Sequence, residues 1–188
     1  MSGHSDDSGS SIFKIALNLA VACFVSGIII SAVYWVTADA AAQKVIELRD
    51  ESMRMLVADA DEFVPWEQNE EIFIAKKGGE TIAFIVPSEN PGYEGVMQLL
   101  TAINPDGSVI EYIITAHKET PGLGDRAGKS PFKDQFAGKK LDDLVVVKDP
   151  TNTVNIQAMT GATISSRAAT AAVRKALEEA EPLIKGGE

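Results

Sequence analysis

The chain has one cysteine, Cys23, and two histidines, His4 and His117, in 188 residues. That scarcity excludes a cysteine-ligated iron–sulfur cluster, a Cys-x-x-Cys-His haem site, a zinc finger and an intrachain disulfide. His117 has no cluster of further ligands around it in sequence, so it reads as a strand-end histidine and no metal site is expected. Positive charge is also short: 17 Lys and Arg face 27 Asp and Glu, a net charge of −10. Lys14 is the one basic residue before position 37, against Asp6 and Asp7, so nearly all of the acidic excess lies downstream. A basic nucleic-acid-binding surface is thereby excluded. There is no Walker sequence. Gly122-x-Gly124 begins like a dinucleotide fingerprint, but the third glycine should fall at Ala127, and Gly128 comes one place late. The strand before it also belongs to an antiparallel pattern rather than a βαβ unit. Redox work in such a chain calls for an organic cofactor.

What the chain does have is one long apolar run. Residues 15–36 contain no charge, and Asn18 is their one strongly polar side chain. As a helix this stretch spans about 33 Å, enough for a hydrocarbon core of roughly 30 Å. Tyr34 and Trp35 stand at its end, where amphipathic rings favour the membrane interface. Ala38-Asp39-Ala40 resembles a signal-peptide cleavage site, yet the run exceeds a signal core and the basic lead is only Lys14. A retained transmembrane helix over 12–37 is expected, after a polar, disordered lead over 1–11. Lys44 and Arg49 follow the span and Lys14 precedes it, so charge does not decide the topology.

Residues 38–65 read as a helical connector. Helix formers run to about residue 59, and Phe63-Val64-Pro65-Trp66 ends the pattern. Residues 66–188 read as a separate domain. Strands are expected at 71–75, 81–86, 96–103 and 108–116, with turns at Lys77-Gly78-Gly79-Glu80 and Asn104-Pro105-Asp106-Gly107. These four should form an antiparallel sheet, and 144–147 a further strand. The last helix should run from about 164 to 181 with Val173, Leu177 and Ala180 as its apolar stripe. Pro182 should end or kink it. The fold class is therefore α+β: one N-terminal transmembrane helix, then an antiparallel sheet flanked by helices.

Two stretches carry the chemistry. Thr160-Gly161-Ala162-Thr163-Ile164-Ser165-Ser166 crowds hydroxyls at the start of the last helix, where free N–H groups and the helix dipole suit a phosphate. By capping chemistry alone an ordinary Ser/Thr cap is the simpler reading. His117-Lys118-Glu119-Thr120-Pro121-Gly122-Leu123-Gly124-Asp125 follows a strand, and alone it reads as a tight turn with a capping aspartate.

Together, with Gly92-Tyr93-Glu94-Gly95 upstream, these stretches resemble the FMN-binding domain of the G subunit of the Rnf electron-transport complex. The sequence is similar also to the C subunit of the sodium-pumping NADH:quinone reductase. The resemblance covers about residues 12–185. It implies FMN held through a phosphodiester on Thr163, within a motif completed by Thr160, Gly161 and Ala162. It also implies Glu119, Thr120 and Leu123 as neighbours of the flavin ring. Where that family usually has an acidic residue six positions before the threonine, this chain has Gln157. The resemblance further implies an electron-relay subunit, not catalytic alone, in the cell (inner) membrane with its FMN domain on the extracytoplasmic side. Its partners would be other membrane subunits of an Rnf-type complex, a flavin transferase during maturation, and membrane lipid. Two other readings stay open: a non-redox extracytoplasmic binding module on a membrane stalk, and an assembly subunit with a lapsed flavin site, for which Gln157 is the one hint.

Overall fold

The structure is a computed structural model that describes the backbone of residues 7–186 and the side chains of residues 12–186. Of the lead expected to be disordered, residues 1–6 lie outside the described residues, and 7–11 already belong to a helix. That helix, α1 (Asp7–Leu56), is 50 residues long. The chain divides into two compact units, Met1–Arg49 and Asp50–Glu188.

In the first unit, residues 15–36 of α1 are apolar on every side. Phe24, Ile30, Tyr34 and Trp35 are all exposed. The stretch from Ile12 is long and apolar enough to cross a membrane. A helix that shows apolar side chains all round finds no stable place in water.

The second unit is built on a five-stranded antiparallel sheet in sequential order. Its strands are β1 (Glu62–Trp66), β2 (Asn69–Lys77), β3 (Glu80–Pro91), β4 (Val96–Ile103) and β5 (Val109–Ala116). Successive side chains point to opposite faces, so one strand feeds two cores. In β3, Phe84 and Val86 join one cluster while Ala83 and Ile85 join the other. The first cluster is closed by α2 (Thr163–Lys185), whose Ala169, Ala172, Val173, Ala176 and Ala180 are wholly buried. The small residues let the helix lie close to the sheet. The second cluster is closed by Met53, Leu56 and Val57, at the end of α1 and just past it, against Phe73, Ala75, Ile85 and Ala102. Between β5 and α2 the chain makes three short 3-10 turns, Gly124–Gly128, Lys133–Phe136 and Leu141–Asp143. A two-residue parallel ladder follows, β6 (Val146–Val147) with β7 (Ile156–Gln157).

Prolines account for the main departures from expectation. Phe63-Val64-Pro65-Trp66 does not merely stop a helix. The helix ends earlier, at Leu56, and these residues form the edge strand β1. An edge strand tolerates Pro65 because one side of it has no ladder partner. Strand β3 runs through Pro87 to Pro91 because β2 pairs with it only as far as Ile85; beyond that point only β4 lies beside it. Pro182 lies inside α2, and the helix continues to Lys185. Leu183 is buried and Ile184 packs on the same core, which holds the last turn in place.

Candidate functional site

Helix α2 begins at Thr163, and its N-cap is Ala162, with no side chain capping it. The hydroxyl-rich sequence is therefore not an ordinary cap. Ser166 is fully buried: its Oγ donates to the Ala162 carbonyl at 2.8 Å and accepts from the Met159 N–H at 3.0 Å. Ser165 is 3 % exposed and donates to Glu119 Oε2 at 2.5 Å. Thr163 is half-buried, and among the described residues its hydroxyl has no hydrogen-bond partner. The backbone N–H groups of Thr163, Ile164 and Ser165 likewise have no acceptor among the described residues. A phosphate ester fits such a place, since free amides and the positive end of the helix dipole both favour it.

Gly161 has φ +80°, a left-handed backbone that disfavours any side chain, and a Cβ there would stand 3.6 Å from Leu123 Cδ2. Leu123 thus lies over the motif glycine while remaining 46 % exposed. Arg126 ties the two stretches from outside. Its Nη2 donates to the Thr160 carbonyl at 2.7 Å and its Nε to the Leu123 carbonyl at 3.2 Å. Sequence reading missed Arg126 because no motif marks it; its one signal is a place three residues after Leu123.

Glu119 holds the stretches from inside. It is 5 % exposed, and Oε1 accepts the Tyr93 N–H at 2.7 Å while Oε2 accepts Ser165 Oγ. Its own N–H donates to His117 Nδ1 at 3.1 Å. The expected ring neighbours therefore differ in kind: Leu123 and the half-buried Thr120 reach the surface, and Glu119 lies beneath. Thr120 Oγ1 donates to Glu94 Oε1 at 2.9 Å, a second tie to the Gly92–Gly95 turn. The loop closes on itself, with the N–H groups of Leu123 and Gly124 both 3.1 Å from the Thr120 carbonyl. Asp125 is not the N-cap of the Gly124–Gly128 turn, but its carboxylate accepts the backbone N–H of Gly122 within the loop. Its Oδ2 lies 2.7 Å from Lys129 Nζ, and that hydrogen bond above all holds its carboxyl below the ordinary 3.8.

Gln157 sits on β7, a short way upstream. Its side-chain amide donates to the carbonyls of Asp149 and Asn152, both at 2.6 Å. Its backbone N–H donates to Gln135 Oε1 at 2.7 Å, and its carbonyl accepts from Gln135 Nε2 at 3.3 Å. Among the described residues no group of three or more His, Cys, Asp or Glu is placed to hold a metal.

The family profile of the FMN-binding domain matches residues 92–178, from the Gly92 turn to well inside α2. The G subunit of the proton-translocating ferredoxin:NAD(+) oxidoreductase complex of Clostridium ljungdahlii is 51 % identical over 174 residues, 93 % of this chain and 94 % of that one. The G subunit of the Na(+)-translocating complex of Acetobacterium woodii is 40 % identical over 119 residues, 61 % of this chain and 57 % of that one. Among solved structures, the C subunit of the Na(+)-translocating NADH-quinone reductase of Parabacteroides distasonis shares the fold, with a TM-score of 0.51 at 22 % identity over 60 % of this chain and 61 % of that one. With half of its residues shared along nearly the whole of one such relative, the chain belongs to the G-subunit family of the ion-translocating ferredoxin:NAD(+) oxidoreductase (Rnf) complexes.

Proposed function

We propose that this protein is a membrane-anchored electron-transfer subunit that carries FMN as a phosphodiester on Thr163 and relays electrons within an Rnf-type complex. The observation that carries the reading is the distribution of hydroxyls in the first turn of α2. Ser165 and Ser166 are buried and committed to partners, and Thr163 has a free hydroxyl beside unclaimed backbone amides. Thr160 lies before the helix and contributes its carbonyl to Arg126. Gly161 and Ala162 themselves place no large side chain beside Thr163. Thr120 and Leu123 are the proposed ring neighbours, with Glu119 supporting them from behind. Exposed Tyr93 and Ile164 belong to the same stretches.

FMN supplies one- and two-electron transfer when bound, and a phosphate tether leaves its ring chemically free. Esterifying FMN directly would require hydroxide to leave phosphorus, so the donor is a flavin dinucleotide on a flavin transferase. Thr163 Oγ1 bonds to the FMN phosphorus, the pyrophosphate bond breaks, a nucleoside monophosphate leaves, and the hydroxyl proton passes to a base on the transferase. Gln157 is occupied by backbone carbonyls, which accounts for an amide at that position without a lapsed site.

The helix from Ile12 anchors the protein in the cell membrane and contacts lipid. The FMN domain is assigned to the extracytoplasmic side by family resemblance. With one candidate span among the described residues and a single cysteine in the sequence, the chain depends on the rest of the complex for an ion path and for iron–sulfur centres.

Co-expression with a flavin transferase tests the reading. The native chain should gain the mass of FMN less water and fluoresce as a band after denaturing electrophoresis, and Thr163→Val should do neither. A Thr163→Val chain that still carries the mass would move the assignment to another hydroxyl. External protease on spheroplasts should remove the domain; full protection would reverse the topology.

A further inference from the structure

Helix α2 presents a physical problem at its start. The first turn of a helix leaves its amides without intrahelical partners, and a capping side chain is the common way to hold it. Here Ala162 at the N-cap provides no acceptor, and the amides of the first turn stay open. Yet the residue proposed to react stands in that same turn.

We infer that Glu119 is the positioning residue of the modification site: its buried carboxylate holds the first turn of α2 through Ser165, in place of a cap, and so fixes Thr163 while leaving the amides around it unclaimed. This rests on the reading of Thr163 as the FMN acceptor. Ser165 Oγ donates to Glu119 Oε2 at 2.5 Å across 46 residues of sequence, and the other carboxylate oxygen takes the Tyr93 N–H at 2.7 Å. One side chain thus joins three separate stretches of chain. The space around it is closed. A Cβ on Gly92 would collide with Glu119 Oε1, and one on Gly124 would lie 2.9 Å from Glu119 Cβ and 2.5 Å from Ser165 Oγ. Both glycines are therefore required by this carboxylate rather than by a turn alone; neither has a positive φ. Glu119 is too buried, at 5 % exposure, to meet the cofactor itself. Its negative charge near the start of α2 also complements the dipole that a cap would otherwise satisfy.

The test measures the initial rate of covalent loading of the full-length chain in detergent, with flavin transferase and flavin dinucleotide, followed by intact-protein mass. Four variants are compared with the native chain: Glu119→Ala, Glu119→Gln, Ser165→Ala, and Leu177→Ala as a destabilised control in the middle of α2. Displacing a reacting group by a fraction of an ångström slows reaction steeply, so Glu119→Ala should load about tenfold or more slower, and Ser165→Ala severalfold slower. Leu177→Ala, assayed below its melting temperature, should load at close to the native rate. Glu119→Gln should recover most of the rate, because its amide accepts from Tyr93 and donates to Ser165. Loading of Glu119→Ala at the native rate, or slowing no greater than that of Leu177→Ala, overturns the inference, as does Glu119→Gln no faster than Glu119→Ala. If Glu119→Ala does not fold, Ser165→Ala decides, and a native rate there overturns it. A native chain that never loads overturns the FMN reading, and this inference falls with it.

Discussion

Thr163 opens a helix that it does not cap, and this separates its chemistry from its contribution to stability. Removing a capping hydroxyl costs about 1 kcal/mol. Since the Thr163 hydroxyl has no partner among the described residues, Thr163→Val should lose flavin attachment with a stability change of less than about 1 kcal/mol. Thermal melting of the unloaded native and variant chains, taken together with their intact masses, checks both halves. Gln157 is the converse case, a residue whose side-chain NH2 group is engaged by two acceptors. Its amide faces two carbonyl oxygens at 2.6 Å. In Gln157→Glu a carboxylate would confront the same two oxygens with nothing to donate. A loss of about 1–3 kcal/mol is expected from the two stranded acceptors and the unpaired charge. Denaturant melts at neutral pH should show it, and a melt unchanged from native would mean that the segment from Asp149 to Asn152 simply moves away.

At the scale of elements, three surface turns are held by aspartates acting as acceptors. Asp106 is lowered first by the Ser108 hydroxyl, Asp125 by Lys129, and Asp149 by the Thr151 hydroxyl, each from an ordinary 3.8. A carboxyl whose folded pKa is depressed stabilises the fold above its unfolded value, and that contribution is lost as pH falls through the folded value. The melting temperature should therefore hold steady in these groups' share from neutral pH down to about pH 4 and then fall. Asp106→Asn should flatten part of that fall, and an unchanged profile would remove Asp106 from the account. The same scale shows what was legible in the sequence. Strand β4 occupies the expected 96–103, and the Asn104–Gly107 turn closes with the Asn104 N–H 2.8 Å from the Ser108 carbonyl. Alternating apolar residues and a Gly/Pro/Asn/Asp turn are local signals, and local signals were enough. Edge strand β1 was not legible, because Pro65 forbids a strand only where both sides are paired, and pairing is a tertiary fact. The site divides in the same way. Thr163, Gly161 and Leu123 stand inside recognisable stretches. The contacts that give Glu119, Ser165 and Arg126 their roles span 46 and 34 residues, and no spacing rule reaches so far.

At the scale of the whole molecule, the boundary between the two units falls inside α1, and this determines where the chain can be cut. The sheet is buried on both faces within Asp50–Glu188: α2 covers one, and Met53, Leu56 and Val57 cover the other. All three of those covering side chains are buried. Chain 50–188 should therefore fold without the apolar helix before it, stay soluble by virtue of its acidic surface, and melt cooperatively. Chain 58–188 retains every strand but loses the three side chains that close the second face. Burying one such side chain is worth about 1.5–3 kcal/mol, so the deletion removes several kcal/mol from a total that is typically about 5–15 kcal/mol. It also leaves Phe73, Ile85 and Leu100 facing water as a continuous apolar patch. The shorter chain should melt at least about 10 °C lower, given about 4–8 °C per kcal/mol at 60–100 residues and about 2–4 °C at 150–250, or aggregate on expression. Circular dichroism melts and size-exclusion chromatography of the two truncations decide the matter. Equal melting temperatures and equal solubility would mean that the end of α1 is not part of the core, and that the fold is closed by α2 alone.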